Sequence, residues 1–260
     1  MSFNQQSIVV FGHDYETTGL KVQELGVIQS ALLMATLHQD GSYEILDQDV
    51  NLLNPGVPIE AEASAIHGYT DLDVMGKPDW LPFLRSEMKT INEHDYQAVV
   101  SFNGACFDNQ IAIRAGWKPN RSVDLYKGAS KIKKAGLWEA ANLGYSYERL
   151  LGKPLAKAHD ALADVIGTLD MIAPMMRLVN EKGLADCTSL DQLHKWMQGD
   201  DGTPDMKLSW GTKHKGKKIR HIPDDYLRWI ISEKCEMTIS FELDQAIRLQ
   251  LGLIKPEDAV

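Results

Sequence analysis

Residues 7–15, SIVVFGHDY, form a short apolar run rich in β-branched side chains that turns polar at its end, the pattern of a buried strand. Residues 24–37, ELGVIQSALLMATL, continue with strand-like apolar character. Asp40-Gly41 marks a turn, a third strand follows, and Asn54-Pro55-Gly56 stops it. From Pro78 onward the period changes. Leu81, Leu84, Met88 and Ile91 fall at helical spacing. Residues 96–103, YQAVVSFN, predict another short strand, and residues 107–116 a helix ended by Gly116. Further helices are predicted over residues 145–153 and over residues 158–173, the second capped by Asp160 and kinked or ended by Pro174. Strands come first and then alternate with helices, which predicts an α/β domain with a mixed sheet flanked by helices.

Composition shifts near Glu181. Residues 188–205 predict a short helix and then a loop of Gly, Asp and Pro. We therefore expect a domain over 1–180, a helix and linker over 181–204 and a small α+β module over 205–260. In that module, residues 208–220 pack basic residues around glycines, a helix opens at Pro223 with acids in its first turn, and Leu243, Ile247 and Leu251 mark a last helix.

The length of 260 residues suits one sizeable domain and a small appendage. No apolar run approaches the roughly 20 residues that span a bilayer. The N-terminal residues MSFNQQSIVV lack the basic and then apolar pattern of a secretory signal. Cys106, Cys187 and Cys235 are far apart and form no metal-ligand pattern, so reduced thiols in the cytoplasm are expected. A net charge of −9 argues against a uniformly basic, nonspecific DNA-binding surface but permits a local basic groove.

Asp14 and Glu16 change the picture. On a strand, side chains two apart share a face, with Tyr15 on the other. Two carboxylates on one face at a strand end repel each other and suit a hard divalent cation, Mg²⁺ or Mn²⁺. Alone, the pair reads more readily as a solvated strand end with surface acids. Asp108 alone reads as a helix N-terminal acid, and His159 alone as a capping or surface histidine. His159 and Asp164 would not stack within one helix, but they share a cleft if His159 lies in the loop just before it.

In order along the chain, HDYETTG (residues 13–19), SFNGACFD (101–108) and AHDALADV (158–165) resemble the three motifs of the DEDDh (DnaQ-like) 3′–5′ exonucleases. The spacing from His159 to Asp164 matches the histidine subclass. The segment LLNPGVPIEAEASAIHGYT also resembles the family's, with Tyr69 in place of the usual aliphatic residue. The likeness covers roughly residues 7–175, and the wording of the motifs is nearest to the exonuclease I branch. The stretch WGTKHKGKKIRHIPDDYLRWII resembles the C-terminal module of exonuclease X and related phage-type enzymes.

The resemblance implies an RNase H-like fold and a metal-dependent 3′–5′ exonuclease that releases nucleoside 5′-monophosphates from DNA, single-stranded by preference. It assigns Asp14, Glu16, Asp108 and Asp164 as carboxylates for two Mg²⁺ (or Mn²⁺) ions, about 3.5–4 Å apart in such sites. It makes His159 the general base, since an imidazole ordinarily titrates near neutrality. Leu20 resembles the apolar wedge against the terminal base. Backbone amides near Thr17 and Thr18 would hold the 3′ end, with Phe102 and Asn103 flanking the cleft; Leu20 and Phe102 read equally as ordinary loop or core packing, and His67 reads as a strand contact or as a turn-stabilising histidine. Apart from the resemblance, the density of Lys213, Lys215, Lys217, Lys218 and Arg220 reads as phosphate binding with Trp210 and Trp229 stacking on bases, or equally as a solvated basic hairpin whose tryptophans pack the module. An RNA 3′-trimming enzyme is the alternative within this chemistry. A catalytically silent nucleic-acid-binding or partner-docking protein is the alternative outside it, and a homodimer or protein partner is left open.

Overall fold

The structure is a computed structural model that describes residues 6–118, 121–198, 206–232, 235, 239 and 241–254. It divides into two compact units, Ser2–Met197 and Gln198–Val260.

The larger unit is built on a five-stranded sheet of order β3-β2-β1-β4-β5. Its strands are β1 (Ser7–Thr17), β2 (Val27–His38), β3 (Tyr43–Leu52), β4 (Ala98–Ser101) and β5 (Ser122–Asp124). The first three are antiparallel; β4 pairs parallel with β1 and with β5, so the sheet is mixed, as the strand-first pattern predicts. β1 is central and buried along most of its length. β3 is one edge, and its Asp47 and Asp49 face water, which discourages pairing with another chain.

Alternation along β1 feeds two separate cores. Ile8 and Val10 pack with Val165 and Leu169 of α6 (Ala161–Asp170) and with Ile172, Met175 and Val179 of α7 (Ile172–Glu181). Phe11 and Tyr15 pack with Leu84, Met88 and Ile91 of α2 (Trp80–Glu93) and with Ile111 of α3 (Asp108–Arg114). Helices thus cover both faces of the sheet. The remaining helices of this unit are α1 (Ala61–His67), α4 (Leu125–Lys134), α5 (Leu143–Leu151) and α8 (Leu190–Gln198).

Two expectations change in detail. The helix predicted over residues 158–173 is two helices that meet at Met171, one turn before Pro174. A proline at 174 has no N–H for the carbonyl of Asp170, and its ring crowds that carbonyl. Pro174 itself sits in the first turn of α7, where a missing N–H costs nothing. The composition shift near Glu181 does not coincide with the division between units: Cys187, Leu190, Leu193 and Met197 lie in the larger core. The Gly/Asp/Pro loop expected after α8 lies at 199–205, outside the described residues.

The smaller unit has its own core of Leu208, Ile219, Ile222, Leu227, Ile230, Leu243, Ala246 and Ile247. It carries α9 (Asp224–Ile230), which opens after Pro223 as predicted, and α10 (Phe241–Gln250). Among the described residues, no helix is long and apolar enough to cross a membrane.

Candidate active site

β1 brings Asp14 and Glu16 to the end of the central strand, on the face toward α6. That face is unusually close to the helix: a Cβ added to Gly12 would come within 2.7 Å of Val165 Cγ1. Only a glycine lets α6 lie against the strand there, and Asp164 is the residue before Val165 on the same helix. The pattern Gly12-x-Asp14-x-Glu16 therefore does two things at once: it admits the helix and meets it with acids.

His159 lies two residues before α6, in the loop, with a left-handed backbone (φ 68°) that a non-glycine residue seldom adopts. Its backbone N–H donates to Asp164 Oδ2 at 3.3 Å, which folds the loop back over the first helical turn. Asp160 caps the helix by accepting from the amide of Ala163 at 3.1 Å. As a result, side-chain donor atoms of Glu16, His159 and Asp164 lie within 4.8 Å of one another. Glu16 and Asp164 are buried and His159 is exposed. The other Asp164 oxygen, Oδ1, is buried with no hydrogen-bond partner.

Asp14 and Asp108 are outside that triplet but belong to the same charge cluster. Burial pushes the Asp14 carboxyl well above its ordinary range, and Asp108, Asp164, Glu16 and Asp160 push it further. Glu16 is raised to about 8 by burial and then by Asp164, Asp108 and Asp160. Asp164 is raised to about 7 by burial, against the pull of the His159 amide. Asp108, the first residue of α3, is raised to about 7 by burial, although its own amide and that of Tyr15 donate to it. The charges that dominate these shifts are all acids. Such a cluster holds protons, or a cation, to offset its repulsion.

The opposite face of β1 ties the two acid-bearing elements together. His13 Nε2 lies 2.8 Å from Asn109 Oδ1, and His13 Nδ1 lies 3.1 Å from the Tyr15 hydroxyl. Burial lowers the His13 pKa to about 4, so the ring is neutral near pH 7. A neutral ring that donates from Nε2 to Asn109 and accepts the Tyr15 proton at Nδ1 satisfies both contacts.

The residues expected to touch a strand fall into distinct places. Leu20 is 87% exposed at the tip of the loop after β1. Thr18 is buried; its amide donates to the Gly26 carbonyl and its hydroxyl accepts from the Gly26 amide, both at 3.0 Å. Its amide is therefore committed to closing this loop. The buried Thr17 hydroxyl donates to the Gly19 carbonyl at 2.8 Å. Phe102 is half-buried, edge-on to Tyr126. Asn103 has φ 67°, and its amide donates to Asp124 Oδ1 at 2.7 Å. His67 accepts from the Tyr69 amide at Nδ1, 3.0 Å away, so it stabilises its turn. It also lies near the site: burial lowers its pKa, and the Thr17 backbone and the His159 ring perturb it in opposite senses. Lys213, Lys215, Lys217 and Lys218 are in the smaller unit.

Three further residues join the site. Asp160 is a cap in the sequence pattern, yet its charge acts on Asp14, Glu16 and Asp164. Asp124 acts on Asp108 and caps α4. Its signal in the sequence is a polar end to the short run Ser122–Asp124, too brief to stand out. Gln29, buried in β2, accepts the Ala161 amide at 2.8 Å and donates to the Tyr69 hydroxyl and to Asp160 Oδ2. A buried glutamine inside the apolar run at residues 27–37 was its only trace. It anchors the start of α6, and Tyr69 supplies part of that anchor.

No protein-family model matches the chain, and no curated protein matches it. Solved structures do. Exonuclease I, in a structure that addresses its processivity, superposes with a TM-score of 0.56 at 18% identity over 73% of this chain and 43% of that one. An exonuclease I complex with SSB-Ct gives 0.56 at 16% over 77% and 45%. The zinc-bound Escherichia coli exonuclease I complex with single-stranded DNA gives 0.52 at 20% over 68% and 41%. The chain thus spans less than half the length of these proteins. The shared part is the mixed five-stranded sheet flanked by helices, and the larger unit has the RNase H-like fold of exonuclease I.

Proposed function

We propose that this protein is a metal-dependent 3′–5′ exonuclease that removes nucleoside 5′-monophosphates from single-stranded DNA. The observation that carries the reading is the convergence of Asp14, Glu16, Asp108 and Asp164 with His159, under charges that are dominantly acidic. The donor set suits Mg²⁺ or Mn²⁺: carboxylate oxygens, one of them buried without a partner, beside a single imidazole. Asp14, Glu16, Asp108 and Asp164 would hold the cations, two in the reading that the motifs favour. Bound divalent ions supply charge neutralisation at the phosphate and acidify water.

The chain's own residues do the rest. His159, exposed beside the buried acids, takes the proton of the attacking water at its ring. The water oxygen attacks the last phosphodiester phosphorus and the bond to the preceding 3′-oxygen breaks. Asp164 holds the His159 loop in place through its amide. Leu20, projecting from the loop that Thr18 closes, meets the terminal base. The likeness to exonuclease I, solved with dT13 and dA16 oligonucleotides, supports DNA as the substrate.

The test uses a 5′-labelled single strand of DNA and its RNA counterpart, with Mg²⁺ and with EDTA. We expect a ladder that shortens the DNA from the 3′ end in Mg²⁺ only, and protection by a blocked 3′ terminus. Faster loss of the RNA would move the reading to a 3′ exoribonuclease. No shortening of either strand in Mg²⁺ or Mn²⁺ would overturn it.

A further inference from the structure

The smaller unit holds a concentration of positive charge in an acidic protein. Residues 206–232 contain seven Lys and Arg against two Asp, while the whole chain has a net charge of −9. The charge is presented by a tight loop. The Leu208 amide donates to the Lys217 carbonyl at 2.9 Å, the Gly216 amide to the Leu208 carbonyl at 2.7 Å and the Lys217 amide to the His214 carbonyl at 3.1 Å. Gly216 turns the chain with φ 81°. Lys213, Lys215 and Lys217 are exposed, and among the described residues none of the three makes an ion pair. Three unpaired lysines on a pinned loop repel one another, and an anion bound there relieves the repulsion.

Aromatic rings continue from that loop. His214, between two of the lysines, is 5% exposed, and neither ring nitrogen has a hydrogen-bond partner. Its ring centroid is 4.6 Å from that of Tyr226, which is 5.4 Å from that of Trp229. The two tryptophans that flank the loop in sequence play different parts. Trp210 is half-buried against the small core, whereas Trp229 is 40% exposed on α9. An exposed indole backed by a second ring offers a face on which an unpaired base can stack. Duplex bases are already stacked and offer no such face. An acidic peptide would match the lysines and leave the indole idle.

We propose that the smaller unit is a contact site for single-stranded nucleic acid, with Lys213, Lys215 and Lys217 on phosphates and Trp229 stacked on a base. The ligand class is the one named for the larger unit, and the proposal rests on that reading only for the nature of the strand. The site itself needs neither metal nor hydrolysis.

The experiment therefore measures binding alone. Full-length protein carrying Asp14→Asn is titrated in EDTA against a long labelled oligothymidylate at several salt concentrations. It is compared with the same protein carrying K213A/K215A/K217A or Trp229→Ala, each checked for an unchanged melting temperature. Each lost phosphate contact flattens the plot of log affinity against log salt by about 0.7, so the triple variant should lose about 2 from the slope. Trp229→Ala should weaken binding roughly tenfold and leave the slope unchanged. Equal slopes for the triple variant and its parent would overturn the proposal. So would duplex DNA bound as tightly as the single strand, or an acidic peptide that displaces the strand with no dependence on Trp229. A protein that binds in this way but never hydrolyses a strand would refute the exonuclease reading and leave this site standing.

Discussion

At the scale of single residues, the site depends on where one backbone amide points. His159 is held beside Asp164 because its own N–H donates to that carboxylate, and its left-handed backbone turns the imidazole out of the helix register. The sequence spacing alone would have set the two side chains apart on α6. His159→Ala removes the ring and keeps the amide, so Asp164 stays in place. We expect turnover to fall roughly 10²–10⁴-fold, as for a positioned base, with strand binding little changed. Rate and strand affinity measured across neutral pH check this, and a rate equal to wild type throughout would reject the role. His159→Gly should relieve the φ strain and still lose the base, which separates the two effects.

At the scale of elements, the close packing of α6 on β1 positions the acids. Gly12→Ala would drive its methyl into Val165, and the two elements would have to separate. Overpacking of this kind costs typically 1–3 kcal/mol, read as a lower melting temperature, and the displaced α6 carries Asp164 away from Glu16. A Gly12→Ala protein with unchanged stability and unchanged metal affinity would contradict this. The same element shows how far the sequence could be read. The strand-first pattern, the alternation of β1 and the cap at Asp160 are local signals, and they predict the sheet and the helix that the structure contains. The break at Met171 was misplaced by one turn because the clash of Pro174 acts on the carbonyl four residues earlier. β5 and α4 were missed because the three-residue strand Ser122–Asp124 gives no period to detect. The Gln29–Tyr69–Asp160 anchor joins residues 40 and 131 positions from Gln29, and no spacing rule reaches that far.

At the scale of the whole molecule, the clustered acids make stability depend on pH and on cations. Glu16, Asp108 and Asp164 bind their protons more tightly in the folded state, so without a cation their contribution falls as pH rises through about 7 and 8. His13 acts in the opposite sense, because its lowered pKa favours the fold as pH rises toward the ordinary histidine value of 6.5. Above about pH 6.5 only the carboxylate effect remains. In EDTA the melting temperature of the larger unit should therefore fall from about pH 6.5 to about pH 8, and Glu16→Gln should flatten that fall. Mg²⁺ added at the upper end should restore stability, since a ligand bound only by the folded state raises it. A melting temperature indifferent to both pH and Mg²⁺ in this window would mean that the acids are neither strained nor occupied.

The central claim is that Asp14, Glu16, Asp108, Asp164 and His159 act as one hydrolytic site. The most direct measurement is single-turnover shortening of a 5′-labelled DNA strand in Mg²⁺ by wild-type protein and by Asp14→Asn. That change replaces a carboxyl whose ionisation burial and the neighbouring acids oppose with a neutral group of similar shape, so the fold should be kept. We predict stepwise loss from the 3′ end with the wild type and none above the uncatalysed rate with Asp14→Asn. Wild-type shortening by the Asp14→Asn protein at saturating Mg²⁺ would contradict the account.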